Sequence, residues 1–521
     1  MGKTFSFCPR GGRYGRVGKM AEKSIIIIGG GIAGLSAGCY GQMNGYRTSI
    51  FEMHKLAGGV CTGWKRKGYT IDGAMNWLVG TKPGTSFYRF WEELGAAQEW
   101  QVFNHDQYSL IEDESGKVFT IYSDIDRLER QMMELAPEDE AIIREFTKAV
   151  RDCGRFDMLV DKPQELYGLV DKIKLIKMLP YLRFVRKWGK ITTADYAQRF
   201  KNPFLRKVVD IDPTGDFTDM PMLVRPMTLA WQNQKAAGYV IGGALALVDY
   251  IQRRYLDLGG ELHCEARVEK ILVESDKAVG IRLADGTEHR AGYVVSAADG
   301  RTTIFDMLDG KYIDDKIRGY YDNLQLFPPL IYVGLGVARK FDDVPPSVSG
   351  LTFPLEKPVT IAGKEQKILS VLIYNFDPTL APEGKTVVIV QFNTNYEYWE
   401  KLYKELERYK AEKEQIADQV VAALDKRFPG LAAQVEMRDV ATPVTWERYT
   451  GNWRGSYEGW LPTTKTFMIR MSKTLPGLDN FYMAGQWVNP GGGMPTAAMS
   501  GRHTIQIICK NDKRKFVTTT P

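Results

Sequence analysis

Two features of this sequence carry residue types that chemistry needs at fixed spacing. The first is Gly29-Gly30-Gly31-Ile32-Ala33-Gly34, which directly follows the β-branched apolar run Ser24–Ile28. In a G-x-G-x-x-G turn the three glycines serve different ends. Gly29 permits the tight turn, Gly31 lets the backbone approach a pyrophosphate, and Gly34 allows the next helix to pack closely on the strand. The helix N-terminus behind the loop then offers unpaired N–H groups and the positive end of its dipole to a phosphate. The second feature is the Glu52 carboxylate, which ends the next apolar run, Arg47–Phe51, and lies 21 residues after Gly31. A carboxylate at that distance accepts the hydroxyls of an adenosine ribose and disfavours a 2′-phosphate. Glycine-rich turns often join strand to helix with no ligand, so Glu52 is what selects the dinucleotide reading. Gly334-Leu335-Gly336 lacks the third glycine and sits inside an apolar run, so one such site is predicted.

Other chemistries lack their residues. The six cysteines are scattered with no C-x-x-C, and the five histidines show no metal-ligand spacing, which predicts reduced thiols and no metal. No Ser-His-Asp or paired-carboxylate motif is found either.

The elements that must position these residues come from 521 residues, 44% hydrophobic and 25% charged, a composition that excludes disorder and disulfide scaffolds. That length suggests several domains enclosing an internal pocket. The net charge of +6 belongs to the ends: residues 1–20 hold five basic and no acidic residues, and Lys510–Lys515 add four basic against one acidic. The near-neutral body argues against nucleic acid as a partner. No apolar run is long enough to span a membrane, so a cytoplasmic protein is expected.

Further motifs follow the same order along the chain as in a known group. They are Gly58-Gly59, Gly68-Tyr69-Thr70-Ile71-Asp72-Gly73-Ala74, Gly242-Gly243, Val294-Val295-Ser296-Ala297-Ala298-Asp299, Asn480-Phe481-Tyr482-Met483-Ala484-Gly485-Gln486 and Pro490-Gly491-Gly492-Gly493-Met494-Pro495-Thr496, the last entering a helix-like Ala497–Cys509. Together they resemble the phytoene desaturase, carotenoid isomerase and retinol saturase branch of the FAD-dependent amine oxidase superfamily. Two departures stand out. The usual R-x-G-G-R is here Leu56-Ala57-Gly58-Gly59-Val60, and Asn76-Trp77 follows the Asp-Gly pair.

The resemblance implies an α/β fold. A Rossmann-type, glutathione-reductase-like FAD-binding domain would comprise 21–84, 236–305 and 465–512, after a basic disordered extension at 1–20. A discontinuous α+β substrate domain on a mainly antiparallel sheet would comprise 85–235, mostly helical, and 306–464. Strands are expected at Leu330–Val337, Ile368–Tyr374 and Val387–Phe392, then a long helix near Tyr396–Phe428. The resemblance implies FAD held by Gly29, Gly31, Ala33 and Gly34 at the pyrophosphate, Glu52 at the ribose and Val268 at the adenine through its backbone, with Ile32 and Met53 also in the cofactor site. Gly58, Gly59, Val60, Met75, Asn76, Trp77, Ala297, Gly485, Gly493, Met494, Pro495 and Thr496 would complete the cofactor site.

The implied activity is hydride transfer between flavin N5 and C–C bonds of a lipophilic, polyene-like small molecule, by a desaturase, saturase or isomerase. No catalytic acid or base and no electron donor or acceptor is specified. Trp77, Tyr88, Trp91, Trp231 and Tyr239 are candidate tunnel walls, although aromatics are commonly plain core. A flavin amine oxidase is an alternative and would use an aromatic pair such as Trp453 with Trp487. A non-catalytic binder of prenylated partners, as in the Rab escort proteins, is another. Residues 170–190 carry seven basic residues against Asp171, interleaved with apolar ones and interrupted by Pro180. They could contact a membrane peripherally, or be the solvated face of two ordinary helices, which is the commoner origin of such a run.

Overall fold

The computed structural model describes residues 24–158, 160–169, 171, 176, 178–210 and 219–521. The extension at 1–20 and much of the first half of 170–190 lie outside the described residues. Ser24–Ile28 is buried at every position, as befits a strand covered on both faces. It lies at the centre of a parallel five-stranded sheet in the order Glu261–His263, Arg47–Phe51, Ser24–Ile28, Tyr293–Ser296, Phe481–Met483. Helix Ile32–Met43 leaves the glycine turn and packs on this sheet beside the final helix, Met494–Asn511. That final helix begins three residues before the expected Ala497. The contact between the two helices is close because Gly501 has no Cβ: one there would lie 2.4 Å from the Ala33 carbonyl oxygen.

A second, seven-stranded sheet runs Val435–Ala441, Leu330–Val337, Thr386–Asn393, Lys364–Ile373, Leu351–Ile361, Gln107–Glu112, Val118–Tyr122. Every pairing is antiparallel except that of Leu351–Ile361 with Gln107–Glu112. The three expected strands are present, but the Gln107–Tyr122 hairpin stands in a stretch expected to be mostly helical. The expected long helix is two, Tyr396–Tyr403 and Leu406–Arg427. The second covers the sheet through Ile416, Val420 and Leu424, spaced four apart on one helical face. Helices Ile125–Leu135, Glu140–Cys153 and Val224–Asn233 share a separate apolar core with the hairpin. Pro180 falls in the first turn of helix Leu179–Gly189, where its missing N–H costs nothing.

Among the described residues no helix is long and apolar enough to cross a membrane. Cys39, Cys61, Cys153 and Cys509 are free and buried.

Candidate functional site

One cavity of about 940 Å³ runs from the glycine turn, past the start of the final helix, to an outer chamber. At its inner end the walls are backbone. The Gly29 N–H donates to the Phe51 carbonyl at 2.8 Å, and the Gly58 N–H donates to the Gly30 carbonyl at 2.9 Å, which ties the second glycine pair to the first. Gly31 caps the first helix, so the helix N–H groups behind it face the cavity. A Cβ at Gly31 would lie 3.7 Å from its nearest neighbour, the Gly58 oxygen, an ordinary contact. The protein itself therefore does not demand glycine there. Gly34 differs: a Cβ there would lie 1.9 Å from the Gly29 carbonyl oxygen. It is absent from the cavity lining and serves helix–turn packing, which corrects its assignment to the pyrophosphate.

Glu52 is buried and lines the same end. Its Oε2 accepts the Gly30 N–H at 2.7 Å and its Oε1 accepts the His54 N–H at 2.8 Å. Burial pushes its carboxyl up, while these N–H groups hold it down. The carboxylate thus braces the turn and keeps lone pairs for a ligand. Val268, Arg267 and Met53 border this end, and Ala297 lies under the turn, where a Gly29 Cβ would meet its backbone at 3.2 Å.

Gly491, Gly492 and Gly493 line the same cavity and all take positive φ (+93°, +52° and +84°), a backbone that side chains rarely permit. They deliver Met494, Pro495 and Thr496, the first turn of the final helix, into the cavity wall. The Gly485 N–H donates to Ser500 Oγ at 2.9 Å, holding the preceding loop against the same helix. A helix N-terminus and a glycine turn therefore border the same cavity, an arrangement suited to an anionic, flat ligand.

Three turns of chain complete this chamber. Asp72 is buried and accepts the N–H groups of Ala74, Met75 and Ala244, each at 2.9 Å. Burial pushes its carboxyl up to about 6. It fixes the turn that presents Asn76 and Trp77 to the cavity; the Tyr374 hydroxyl donates to Asn76 Oδ1 at 3.2 Å. Met75 is itself core and does not line the cavity, contrary to expectation. Asp299, also buried and pushed up to about 6 by burial, accepts the N–H groups of Thr302 at 2.7 Å and Trp453 at 2.9 Å. Asn452 Oδ1 accepts from Gln486 Nε2 and Trp487 Nε1, both at 3.2 Å.

The outer chamber is walled by side chains from distant segments, including Phe87, Met158, Tyr181, Met227, Trp231 and Phe467. Trp77 and Trp231 face it with ring centroids 6.0 Å apart. Of the other aromatic candidates, Trp91 and Tyr239 are fully buried core and Tyr88 packs beside Trp100; none lines the cavity. Trp453 and Trp487 are tilted 41° to each other and pack with Tyr321 and Trp460, and only Trp487 reaches the lining. They are not two parallel walls around a shared face. Tyr332, Gln391, Asn452 and Gln486 line the cavity without having been singled out in the sequence; only Gln486, inside the Asn480–Gln486 motif, carried a local signal.

Comparison with known proteins places this geometry. The family described as flavin containing amine oxidoreductase matches residues 32–509. Prolycopene isomerase of Daucus carota is 24% identical over 502 residues, covering 93% of this chain and 80% of the carrot protein. The neurosporene-forming phytoene desaturase of Rhodobacter capsulatus is 26% identical over 508 residues, 93% of each chain. Among solved structures, an oxidoreductase from Methanosarcina mazei shares the fold with a TM-score of 0.60 at 16% identity, across 93% of this chain and 100% of that one.

Proposed function

This chain belongs to the flavin-containing amine oxidoreductase family and is an FAD-dependent enzyme, and from that premise we propose that it acts on C–C bonds of an extended isoprenoid or polyene hydrocarbon. The observation that carries the reading is the continuity of the cavity: a polar, backbone-walled inner chamber opens without interruption into an outer chamber walled by Phe87, Met158, Met227 and Trp231. An apolar chain fits the second while its reacting bond reaches the first. The names of the carrot and Rhodobacter relatives, a prolycopene isomerase and a phytoene desaturase, support the same substrate class.

In this reading Gly29, Gly31, Ile32 and Ala33 hold the pyrophosphate, Glu52 the ribose, and the Val268 backbone the adenine. Gly485 and Gly493–Thr496 approach the flavin ring. Bound flavin supplies a two-electron centre at N5. The protein then has to bind, orient and exclude water. Asp72 orients the Asn76–Trp77 turn, Asp299 anchors the Trp453 loop, and Trp77 with Trp231 grips the hydrocarbon. We assign the FAD unit to 21–84, 236–305 and 465–512, and the substrate unit to 85–235 and 306–464.

The test is anaerobic incubation of the purified flavoprotein with phytoene and with prolycopene in detergent, reading products by chromatography and conjugation by absorbance. A change in double-bond number or geometry is expected. In a parallel aerobic assay, where dioxygen can reoxidise the flavin, amine-dependent peroxide formation with no polyene turnover would overturn the assignment.

A further inference from the structure

The sheet face that borders the cavity turns polar at one place, where a purely apolar ligand would not call for it. Along Leu330–Val337 and Thr386–Asn393 the side chains alternate between two faces. Ile331, Val333, Val388 and Val390 join the core beneath helix Leu406–Arg427, whereas Tyr332, Val387 and Ile389 face the other way. Tyr332 and Gln391 are register partners on that second face, and both line the cavity. With Val387 and Ile389 preceding it on the same face, Gln391 stands where packing alone would place another apolar residue.

The polar groups gathered there are only partly used. Tyr332 is 2% exposed; its hydroxyl donates to the Asp72 carbonyl, and the Gln391 side chain hydrogen-bonds the same hydroxyl. A primary amide has two donors and an acceptor with two lone pairs, so that one bond leaves Gln391 with both kinds of group for the cavity. Beside them Trp446, on helix Pro443–Thr450, packs edge-on against Tyr332 with ring centroids 6.0 Å apart. Trp446 lines the cavity and is 8% exposed, yet its Nε1–H meets no acceptor among the described residues. Two residues beyond Gln391, both polar atoms of the Asn393 side chain are also buried without a partner among the described residues. Buried donors and acceptors left unpaired destabilise a folded chain, and their concentration at a cavity wall points to a group that binds there.

We propose that the isoprenoid or polyene skeleton this enzyme takes carries one uncharged oxygen, a hydroxyl or a carbonyl, and that Gln391, Trp446 and Tyr332 recognise it. The skeleton rests on the polyene reading; the oxygen site does not. Charge decides against an ionised group. The two strands and helix Pro443–Thr450 contribute Leu330, Tyr332, Gln391, Trp446 and Thr450 to the lining, none of them charged. The cations of the lining lie on other segments: Arg267 precedes Val268, and Arg470 donates to the Gln164 side chain. A carboxylate or an ammonium would be buried here without a counter-charge on these elements, whereas a hydroxyl or carbonyl needs only the hydrogen bonds on offer. A few fixed polar groups in a largely apolar pocket orient the ligand, so the oxygen sets the direction in which the chain enters and thereby which bond is presented for reaction.

The test is anaerobic titration of the full-length flavoprotein, in detergent, with geranylgeraniol, geranylgeranial, geranylgeranic acid and the hydrocarbon that lacks the oxygen, binding being read from the flavin absorbance bands. The alcohol and the aldehyde are expected to bind roughly tenfold or more tightly than the hydrocarbon and the acid, because a site that hydrogen-bonds a ligand oxygen rejects analogues without it. Gln391→Leu and, separately, Trp446→Phe should retain flavin and lose about threefold to tenfold in affinity for the alcohol, with no loss for the hydrocarbon. Comparing each ligand between parent and variant cancels its partitioning into micelles. Equal losses for alcohol and hydrocarbon in Gln391→Leu, or tightest binding of the acid by the parent, would overturn the proposal. A preference for geraniol over its own deoxy hydrocarbon, with none of the longer compounds bound, would uphold the oxygen site and defeat the polyene reading instead.

Discussion

At the inner end of the cavity the walls are main chain: the Gly29–Gly31 turn, the Gly58–Gly59 pair joined to it, and the Gly491–Gly493 run that starts the final helix. At the outer end they are side chains drawn from helices and loops far apart in sequence, among them Phe87, Met158, Trp231 and Phe467. Backbone walls are set by dihedral angles and close approach, so a single added carbon matters there. Side-chain walls are set by volume and polarity, and apolar residues of similar size can replace one another at modest cost. The two ends should therefore respond to substitution in different ways, one through cofactor retention and the other through substrate choice.

The harshest way to break the contrast is at Gly34. Gly34→Val places carbon 1.9 Å or less from the Gly29 oxygen, and no soluble flavoprotein should be recovered on expression. Glu52→Gln comes next. It exchanges an ionised acceptor for a neutral one, and hydrogen bonds to charged groups are worth about 1.5–3 kcal/mol, so FAD affinity measured by titration should fall roughly 10- to 100-fold. At the other end, Trp231→Leu should leave FAD affinity within a factor of about two and change kcat/KM between polyenes of different length by about tenfold, the worth of one or two pocket methylenes. Loss of flavin in that variant would erase the distinction between the two ends.

The smallest effect concerns pH. Burial raises the Asp299 carboxyl from 3.8 to about 6, so the folded chain retains a proton that the unfolded chain has already lost. The associated stability is fully present below pH 3.8 and is lost as pH rises through about 6. The stability difference between the parent and Asp299→Asn should accordingly narrow by about 1–3 kcal/mol across that window in denaturant melts. A difference that widens with pH would contradict the assignment.

The inner end is legible in the sequence because its first glycines, Gly29 to Gly59, fall at fixed spacing within some thirty residues of chain, and Glu52 falls in register with them. The helix after Gly493 is legible for the same reason, though it starts at Met494. What the sequence hides is non-local. The Gln107–Tyr122 hairpin joins the large sheet through a parallel pairing of Leu110 with Leu351, far along the chain, and no short-range pattern announces it. Leu351–Ile361, with Pro354 and charged residues in its middle, reads poorly as a strand and is one because its neighbours complete it. Gly34 reads as a ligand contact because both of its roles require glycine; only the 1.9 Å approach to Gly29 separates them. Among the aromatics, Trp77 and Trp231 reach the cavity while Trp91 and Tyr239 fill core, a choice that depends on tertiary packing.

The central claim is that the inner end is shaped for a cofactor rather than for the protein's own packing, and Gly31 tests it most directly. A Cβ there meets nothing closer than 3.7 Å, so Gly31→Ala should leave the melting temperature of the flavin-free protein within about one degree of the parent, since no mechanism for a large stability loss is present. Titration of FAD into the same preparation should show at least roughly a 100-fold loss of affinity, because the added methyl occupies the approach of the pyrophosphate. Unchanged FAD affinity with an unchanged melting temperature would contradict the account.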